Sequence, residues 1–389
     1  MRVALIHDWL VSMRGGERVL EAFCELFPDA DVYTLVHKKG ACSTAIESMR
    51  IHTSFVDRLP LAKKHHRHYL PLFPHAIEGF DLNGYDLVLS SSHCVAKGVI
   101  TPPSAVHISY VHTPMRYIWD QYPDYFGPGR VGALTGLAAR ACATFLRTWD
   151  EASASRVDVY LANSYNVAAR VEKRYRREAE VVHPPVQLSR FSALPAAQVG
   201  NYYLMVTAFA PYKRVDLAIE AFRSMGKPLK IVGAGQDAAK IRALVAPPVE
   251  LLETQSEREI EELYRRARAL IFPGEEDAGI TPLEAQASGR PVIALGRGGV
   301  LETVVGLGGA QGSEPTGVFF EEPTVEALIG AVQRFESNFE RFDPAVARRN
   351  AERFDVRHFK ARIAAVVDRA LRARELLRRS EANFADSVH

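Results

Sequence analysis

The sequence is short of cysteine, of long apolar runs and of net charge. Four cysteines in 389 residues (Cys24, Cys42, Cys94 and Cys142) stand far apart, with no C-x-x-C spacing. That excludes a disulfide-stapled scaffold and argues against a zinc site. Each thiol is expected as a small core residue of a reduced, cytosolic protein. No apolar run reaches the ~18 residues that a membrane-spanning helix needs. The opening MRVALIHDWL is interrupted by His7 and Asp8, and no small-residue cleavage site follows. It reads as a buried first strand rather than a signal peptide. Forty-eight Lys and Arg against 46 Asp and Glu leave a net charge of +2, too weak a field for a bulk nucleic-acid binder. The patterns GxSxG, HExxH and GxxxxGK(S/T) are absent, which weakens serine-hydrolase, zinc-protease and P-loop readings. No short repeat or low-complexity segment occurs.

What is present is a globular composition, with 47% hydrophobic and 24% charged residues. At ~150 residues per domain the length suits two to three domains. Short apolar runs such as Val3–His7, Asp86–Ser90, Val106–Val111, Tyr203–Val206, Leu229–Val232 and Pro291–Leu295 alternate with amphipathic stretches. The latter include Glu17–Leu26, Ala133–Ser155, Val215–Met225 and Thr324–Phe339. This alternation predicts an α/β protein whose parallel sheets are covered by helices on both faces. A break at His183-Pro184-Pro185 through Asn201 holds three prolines and little periodicity. A domain boundary is placed there, between two Rossmann-like halves of similar size. A long basic helix is expected from about Val356 to Arg379, and then a frayed polar tail, Ser380–His389.

Several motifs carry chemistry. Gly15-Gly16 between the first strand and its helix would let backbone N–H groups approach a phosphate or sugar; a plain tight turn is the alternative. Gly233-Ala234-Gly235-Gln236-Asp237-Ala238 matches the dinucleotide pattern G-x-G-x-x-G/A, and Glu253 follows about 20 residues on, as in a dehydrogenase. It belongs, however, to the second strand of its half. Glu276 and Glu284 flank Gly279-Ile280-Thr281-Pro282, where Thr281 looks like an N-cap, Pro282 the first helical residue and Glu284 the closing carboxylate of a capping box. With a loop before Thr281 both acids could instead meet a ligand at the helix N-terminus. Carboxylates there would take hydroxyls and amides would take phosphates, as a sugar-nucleotide requires. Lys213 and Arg214 open a helix and could neutralise a diphosphate, or form an ordinary basic turn. His112 ends the strand Val106–Val111, at the edge where parallel sheets bind ligands. The basic segment Arg58–Leu70 reads as a surface for anionic membrane or an acceptor phosphate, or as a solvated face; a His-rich metal site fits less well. Asp29-Ala30-Asp31 is formally a DxD but starts a strand, so it reads as turn chemistry.

Taken in order, these motifs resemble the retaining family-4 glycosyltransferases of the GT-B fold. The resemblance rests on Gly15-Gly16, His112-Thr113-Pro114, Pro184-Pro185-Val186, Pro211-Tyr212-Lys213-Arg214-Val215-Asp216 and Ile231-Val232-Gly233-Ala234-Gly235. It continues through the E-x7-E pair in the form EDxGITPLEA, then Ala287-Ser288-Gly289-Arg290-Pro291-Val292 and Gly298-Gly299. The segments HDWLVSMRGGERVLE and YVHTPMRYIWDQY look like those of bacterial mannosyltransferases of O-antigen and exopolysaccharide assembly.

The resemblance implies two Rossmann-like domains facing a central cleft and closing over the donor. Residues 1–190 would bind acceptor, 200–355 the nucleotide-sugar, and 356–389 would cross back to the N-terminal domain. Gly15 and Gly16 would approach the donor phosphates and His112 the transferred sugar. Lys213, with Arg214, would bind the diphosphate, beside a wall containing Gly233 and Gly235. Glu276 would contact sugar hydroxyls and Glu284 the ribose, with Gly279, Ile280 and Thr281 lining the donor site. The catalytic set is thus His112, Lys213 and Glu276. The family usually carries an Arg about five residues before the Lys; here that position is Ala208.

The implied reaction is retaining transfer of a hexose, best guessed as mannose from GDP-mannose, to a polyprenyl-diphosphate-linked glycan, without cofactor or dedicated metal. GDP-6-deoxy-mannose (rhamnose) transfer, and an NAD(P)-dependent oxidoreductase using Gly233–Ala238, are the alternatives. A lipid-linked acceptor implies work at the inner face of the cytoplasmic membrane. Lys63, Lys64 and Arg67 would dock on anionic lipid while Leu59, Leu61 and Leu70 touch the bilayer.

Overall fold

A computed structural model describes residues 1–120, 133–194, 198–252, 255–309 and 314–388. It divides into two compact units, Met1–His183 with Phe359–His389, and Pro184–His358. The first division falls at the Pro184-Pro185 pair, within the segment His183–Asn201 that breaks the sequence pattern. The second falls three residues into the final helix, Val356–Val388.

Unit 1 is built on a seven-stranded parallel sheet in the order β3-β2-β1-β4-β5-β6-β7. Its strands are β1 (Val3–His7), β2 (Asp31–Thr34), β3 (Arg50–Thr53), β4 (Leu87–Ser92), β5 (Val106–Val111), β6 (Val159–Ala162) and β7 (Glu180–Val181). Every residue of β1, β2, β4 and β5 is buried. That follows from their apolar runs, since helices cover both faces. In contrast, β3 is an exposed edge with the sequence Arg-Ile-His-Thr, which carries no apolar run to reveal it. The final helix packs on this unit: Phe359 stacks on Phe23 at 5.9 Å, and Arg362 and Arg369 both pair with Glu180. It continues to Val388 instead of fraying at Ser380. No Pro or Gly lies between those residues to stop it.

Unit 2 holds a six-stranded parallel sheet ordered β10-β9-β8-β11-β12-β13. Its strands are β8 (Tyr203–Ala208), β9 (Leu229–Ala234), β10 (Val249–Leu252), β11 (Leu270–Phe272), β12 (Val292–Leu295) and β13 (Gly317–Phe320). Alternate residues feed two cores. Met205, Ile231, Ile271 and Ile293 enter one; Leu204, Val232, Leu270 and Val292 enter the other.

Both sheets reverse their strand order once, at β1/β4 in unit 1 and at β8/β11 in unit 2. Beyond the carboxyl ends of such strands lies the crevice where open α/β sheets bind ligands. The polar motifs of the sequence cluster at these two places. Asp31, the second acid of the formal DxD, begins β2 at the opposite edge. It is taken up by Tyr85 Oη at 2.6 Å, Arg50 at 2.9 Å and His52 at 3.2 Å. Cys24 and Cys94 are buried, but Cys42 and Cys142 are only half-buried, so the thiols are not uniformly core residues.

Candidate functional site

In unit 1 the chain leaves β1 through His7 and Asp8 and enters the helix Gly15–Leu26 at the glycine pair. A Cβ on Gly16 would lie 3.4 Å from the His7 ring and 3.7 Å from Nε2 of His112. The expected residues Gly16 and His112 therefore meet. Both histidine rings lie at van der Waals contact distance from that position. His112 follows β5. Its N–H donates to Ser92 O at 2.8 Å, and its carbonyl accepts from the Asn163 amide at 2.9 Å. The backbone of His112 is thus held from both sides.

The turn after β4 is organised by Asp8. Its buried carboxylate accepts four backbone N–H groups, from His93, Cys94, Val95 and Ala96, at 2.7–2.9 Å. It also faces His93 Nδ1 at 3.1 Å. The His93 ring packs edge-on against Trp9 at 4.4 Å and lies 6.2 Å from the His112 ring. Burial pushes the His93 pKa down to about 3, helped by His7 and by the charge of Arg67. Burial, with His93 and His7, likewise holds His112 well below the ordinary histidine value, so both rings are neutral near pH 7. Glu17 differs. Burial raises its carboxyl, but the His7 ring opposite, then His93, more than offset this and the net shift is downward. Sequence pattern does not single out Asp8, Glu17, His7 or Ser91. The His7–Ser91 contact and the four Asp8 contacts span 84 to 88 positions, beyond the reach of any local periodicity.

In unit 2 the turn Pro211–Lys213 follows β8, and Lys213 Nζ pairs with the Glu276 carboxylate. The ammonium also lies 5.1 Å from the Tyr212 ring. The segment after β11 is pressed onto this turn. A Cβ on Gly274 would fall 2.5 Å from Tyr212 O and 2.8 Å from Lys213 Cα. From the other side, Gly299 N–H donates to Glu276 O at 2.9 Å, next to Gly298, whose φ is +74°. The two glycine positions clamp the Glu276 backbone where its side chain reaches Lys213.

Glu284 sits in the helix Ile280–Ala287 and accepts from Tyr264 Oη at 2.9 Å. Thr281 is not the N-cap. The helix starts two residues earlier than Pro282, at Ile280, and Gly279 precedes it with φ +69°. That left-handed turn, open to glycine, replaces side-chain capping. Glu284 consequently bonds a tyrosine rather than closing a capping box.

The glycines of the dinucleotide-like motif have a packing cause. A Cβ on Gly233 would fall 2.0 Å from Thr207 O, and one on Gly235 would fall 2.5 Å from Phe209 O. Both sit beside the end of β8, next to Ala208, and β9 could not pass there with larger residues. Glu253, the acidic member of that motif, lies outside the described residues. Arg214, with φ +51°, is engaged apart from the Lys213–Glu276 pair. Its guanidinium meets Asp216 at 3.4 Å and the Pro323 carbonyl at 3.3 Å.

The basic segment of unit 1 is exposed at Lys63, Lys64 and Arg67, and Lys63 pairs with Asp57 at 3.4 Å. Leu61 is 68% exposed. Leu59 and Leu70, expected on the bilayer side, instead pack against the core of the unit. Phe55 and Leu72 are exposed near the cationic residues in their place. Among the described residues no helix is long and apolar enough to cross a membrane, and no cluster of His, Cys, Asp and Glu could hold a metal ion.

Residues 190–352 match the family described as Glycosyl transferases group 1. The chain is 29% identical over 213 residues to the alpha-1,3/1,6-mannosyltransferase alg-2 of Neurospora crassa, covering 41% of this chain and 45% of that protein. It is 29% identical over 153 residues to the O-antigen chain mannosyltransferase RfbU of Salmonella typhimurium, covering 36% and 43%. The chain spans less than half the length of the curated relatives it matches. Among solved structures, HepE of Anabaena in complex with UDP superposes with a TM-score of 0.65 at 16% identity, covering 95% of this chain and all of that one. The shared fold is GT-B, with two parallel-sheet Rossmann-like domains.

Proposed function

We propose that this chain, whose residues 190–352 are a glycosyl transferases group 1 domain, is a retaining glycosyltransferase that moves a hexose from a nucleotide-sugar. The observation that carries the reading is the Lys213–Glu276 pair. It lies beyond the carboxyl ends of β8 and β11, where an α/β sheet receives its ligand. An ammonium suits a diphosphate and a carboxylate suits sugar hydroxyls.

In this reading the C1–O bond to the diphosphate breaks and Lys213 stabilises the departing charge. The acceptor hydroxyl forms the new C1–O bond on the same face, and its proton passes to the leaving phosphate oxygen. No metal or cofactor takes part. Gly15 and Gly16 leave room for phosphate and His112 meets the transferred sugar. Glu284 takes the ribose, beside Gly279, Ile280 and Thr281. Ala208 leaves Lys213 as the principal cation, because Arg214 is tied to Asp216 and Pro323. The similarity to mannosyltransferases supports mannose as the transferred sugar; the proposed donor is GDP-mannose and the proposed acceptor a lipid-linked glycan of surface polysaccharide. The exposed Lys63, Lys64 and Arg67 beside Phe55, Leu61 and Leu72 suit a peripheral site on an anionic membrane.

The test is a transfer assay with GDP-mannose, GDP-6-deoxy-mannose and UDP-sugars on a polyprenyl-diphosphate-linked acceptor, with the product anomer read by NMR. Retained configuration from a GDP-sugar supports the reading; inversion, or turnover of none of these donors, defeats it. Flotation with anionic vesicles tests the docking surface. Salt-sensitive binding that weakens on K63E/K64E supports it, and no binding at low salt defeats it.

A further inference from the structure

Behind His112 runs a chain of polar contacts that the donor site does not use. His7 Nδ1 lies 3.1 Å from Ser91 Oγ, and Ser91 Oγ lies 2.8 Å from His112 Nε2. At the far end His7 Nε2 faces Glu17 Oε1 at 3.8 Å. His7 and Ser91 are fully buried and Glu17 nearly so.

A hydroxyl has one proton to give. Between two ring nitrogens it donates to one and accepts from the other. Were both rings to donate, its own proton would be stranded in the interior. Were both to accept, one would go without. A buried polar group left unpaired costs about 1–3 kcal/mol, so the chain has a direction.

Glu17 sets that direction. Its Oε2 accepts Arg14 N–H at 3.0 Å, which anchors the carboxylate. The Glu17 anion, 3.8 Å from His7 Nε2 and beyond hydrogen-bond reach, draws the ring proton to that nitrogen by its charge and leaves Nδ1 as acceptor. Ser91 then donates to His7 Nδ1 and accepts from the N–H at His112 Nε2. The His112 lone pair is left on Nδ1, which no hydrogen bond engages among the described residues.

We propose that Glu17, His7 and Ser91 are positioning residues that lock His112 in its Nε2–H tautomer, so that its Nδ1 meets a ligand only as an acceptor. A sugar hydroxyl can donate to that nitrogen; a phosphate oxygen cannot. His112 therefore selects for sugar hydroxyls and against phosphate at its ring. The sugar contact rests on the glycosyltransferase reading; the tautomer does not.

The experiment is ring-nitrogen NMR of the full chain labelled with 15N-histidine, with His112 assigned by its loss in His112→Asn. The expected result is a neutral ring protonated at Nε2 and bare at Nδ1. In Ser91→Ala and Glu17→Gln the two signals should move toward each other as tautomers mix, and Ser91→Thr should restore them. A wild-type proton on Nδ1, or shifts unchanged in both variants, overturns the lock. Adding GDP-mannose should then move Nδ1. Binding seen by thermal shift without movement at Nδ1 overturns the sugar contact. No binding at all defeats the transferase reading and the sugar contact together, while the lock stands or falls on the ligand-free shifts.

Discussion

Tyr264 donates a 2.9 Å hydrogen bond to Glu284, from a fully buried phenol to the carboxylate assigned to the ribose. The bond joins the helix Glu257–Arg266 to the helix Ile280–Ala287. It fixes where one Glu284 oxygen points. Tyr264→Phe removes a hydrogen bond to a charged group, which is worth about 1.5–3 kcal/mol. Urea denaturation should show a loss in that range, and nucleotide-sugar affinity should fall several-fold as Glu284 loses its orientation. Unchanged affinity would detach Glu284 from the ligand.

Stability should begin to fall with acid above the carboxylate range. His66 is buried against Trp9, and among the described residues neither of its ring nitrogens has a hydrogen-bond partner. Burial, with Arg67, Arg14 and His65, pushes its pKa down to about 4 from 6.5. Below pH 6.5 the unfolded chain takes up a proton that the native state refuses until about pH 4. Stability therefore declines as pH drops through that window, by up to about 1.4 kcal/mol per pH unit. His66→Gln should flatten the slope between pH 6 and 4 in denaturation curves. An unchanged slope would count against the assignment.

Glu17 acts in the same direction, at lower pH. Its folded pKa is lowered, so its contribution is full above the ordinary carboxyl pKa and is lost as pH falls through the folded value. The stability gap between the wild type and Glu17→Gln should be present at pH 7 and close in strong acid. A gap that persists at pH 2 would mean that packing, not charge, holds this residue.

Lys97 and Asp150 form a buried ion pair at 3.1 Å, with Lys97 1% exposed. Tyr175 and Trp119 also donate to the Asp150 carboxylate, at 3.0 and 2.9 Å. Lys97→Met leaves that carboxylate buried without its cation and should cost about 3–5 kcal/mol. The double variant with Asp150→Asn should lose less than the sum of the single losses. Additive losses would show that the two groups do not act as a pair.

Much of the fold is legible in the sequence because the buried strands are written as apolar runs. Val3–His7 and Val106–Val111 coincide with their strands to the residue. The exposed edge Arg50–Thr53 and the two-residue Glu180–Val181 are not legible, since each is held by its neighbour strand and not by its own burial. The glycines at 233 and 235 are visible as a motif, yet their cause is the passage of Thr207–Phe209, which only the sheet order reveals. Lys213 and Glu276 stand out singly by residue type, but their pairing needs β8 and β11 side by side. His7, Ser91 and Asp8 stay hidden because each acts through a partner on another strand or turn.

The central claim is that Lys213 and Glu276 receive a nucleotide-sugar. Its most direct measurement is a thermal-shift panel of GDP, GDP-mannose, UDP and NADH on the wild type, Lys213→Ala and Glu276→Ala. A ligand bound only by the folded state raises the melting temperature by mass action. Loss of a charge-assisted contact worth about 2–3 kcal/mol should weaken diphosphate binding some 30- to 150-fold. A GDP shift abolished in Lys213→Ala, with the additional GDP-mannose shift abolished in Glu276→Ala, is the predicted result. A shift with NADH alone, indifferent to both substitutions, would contradict the account.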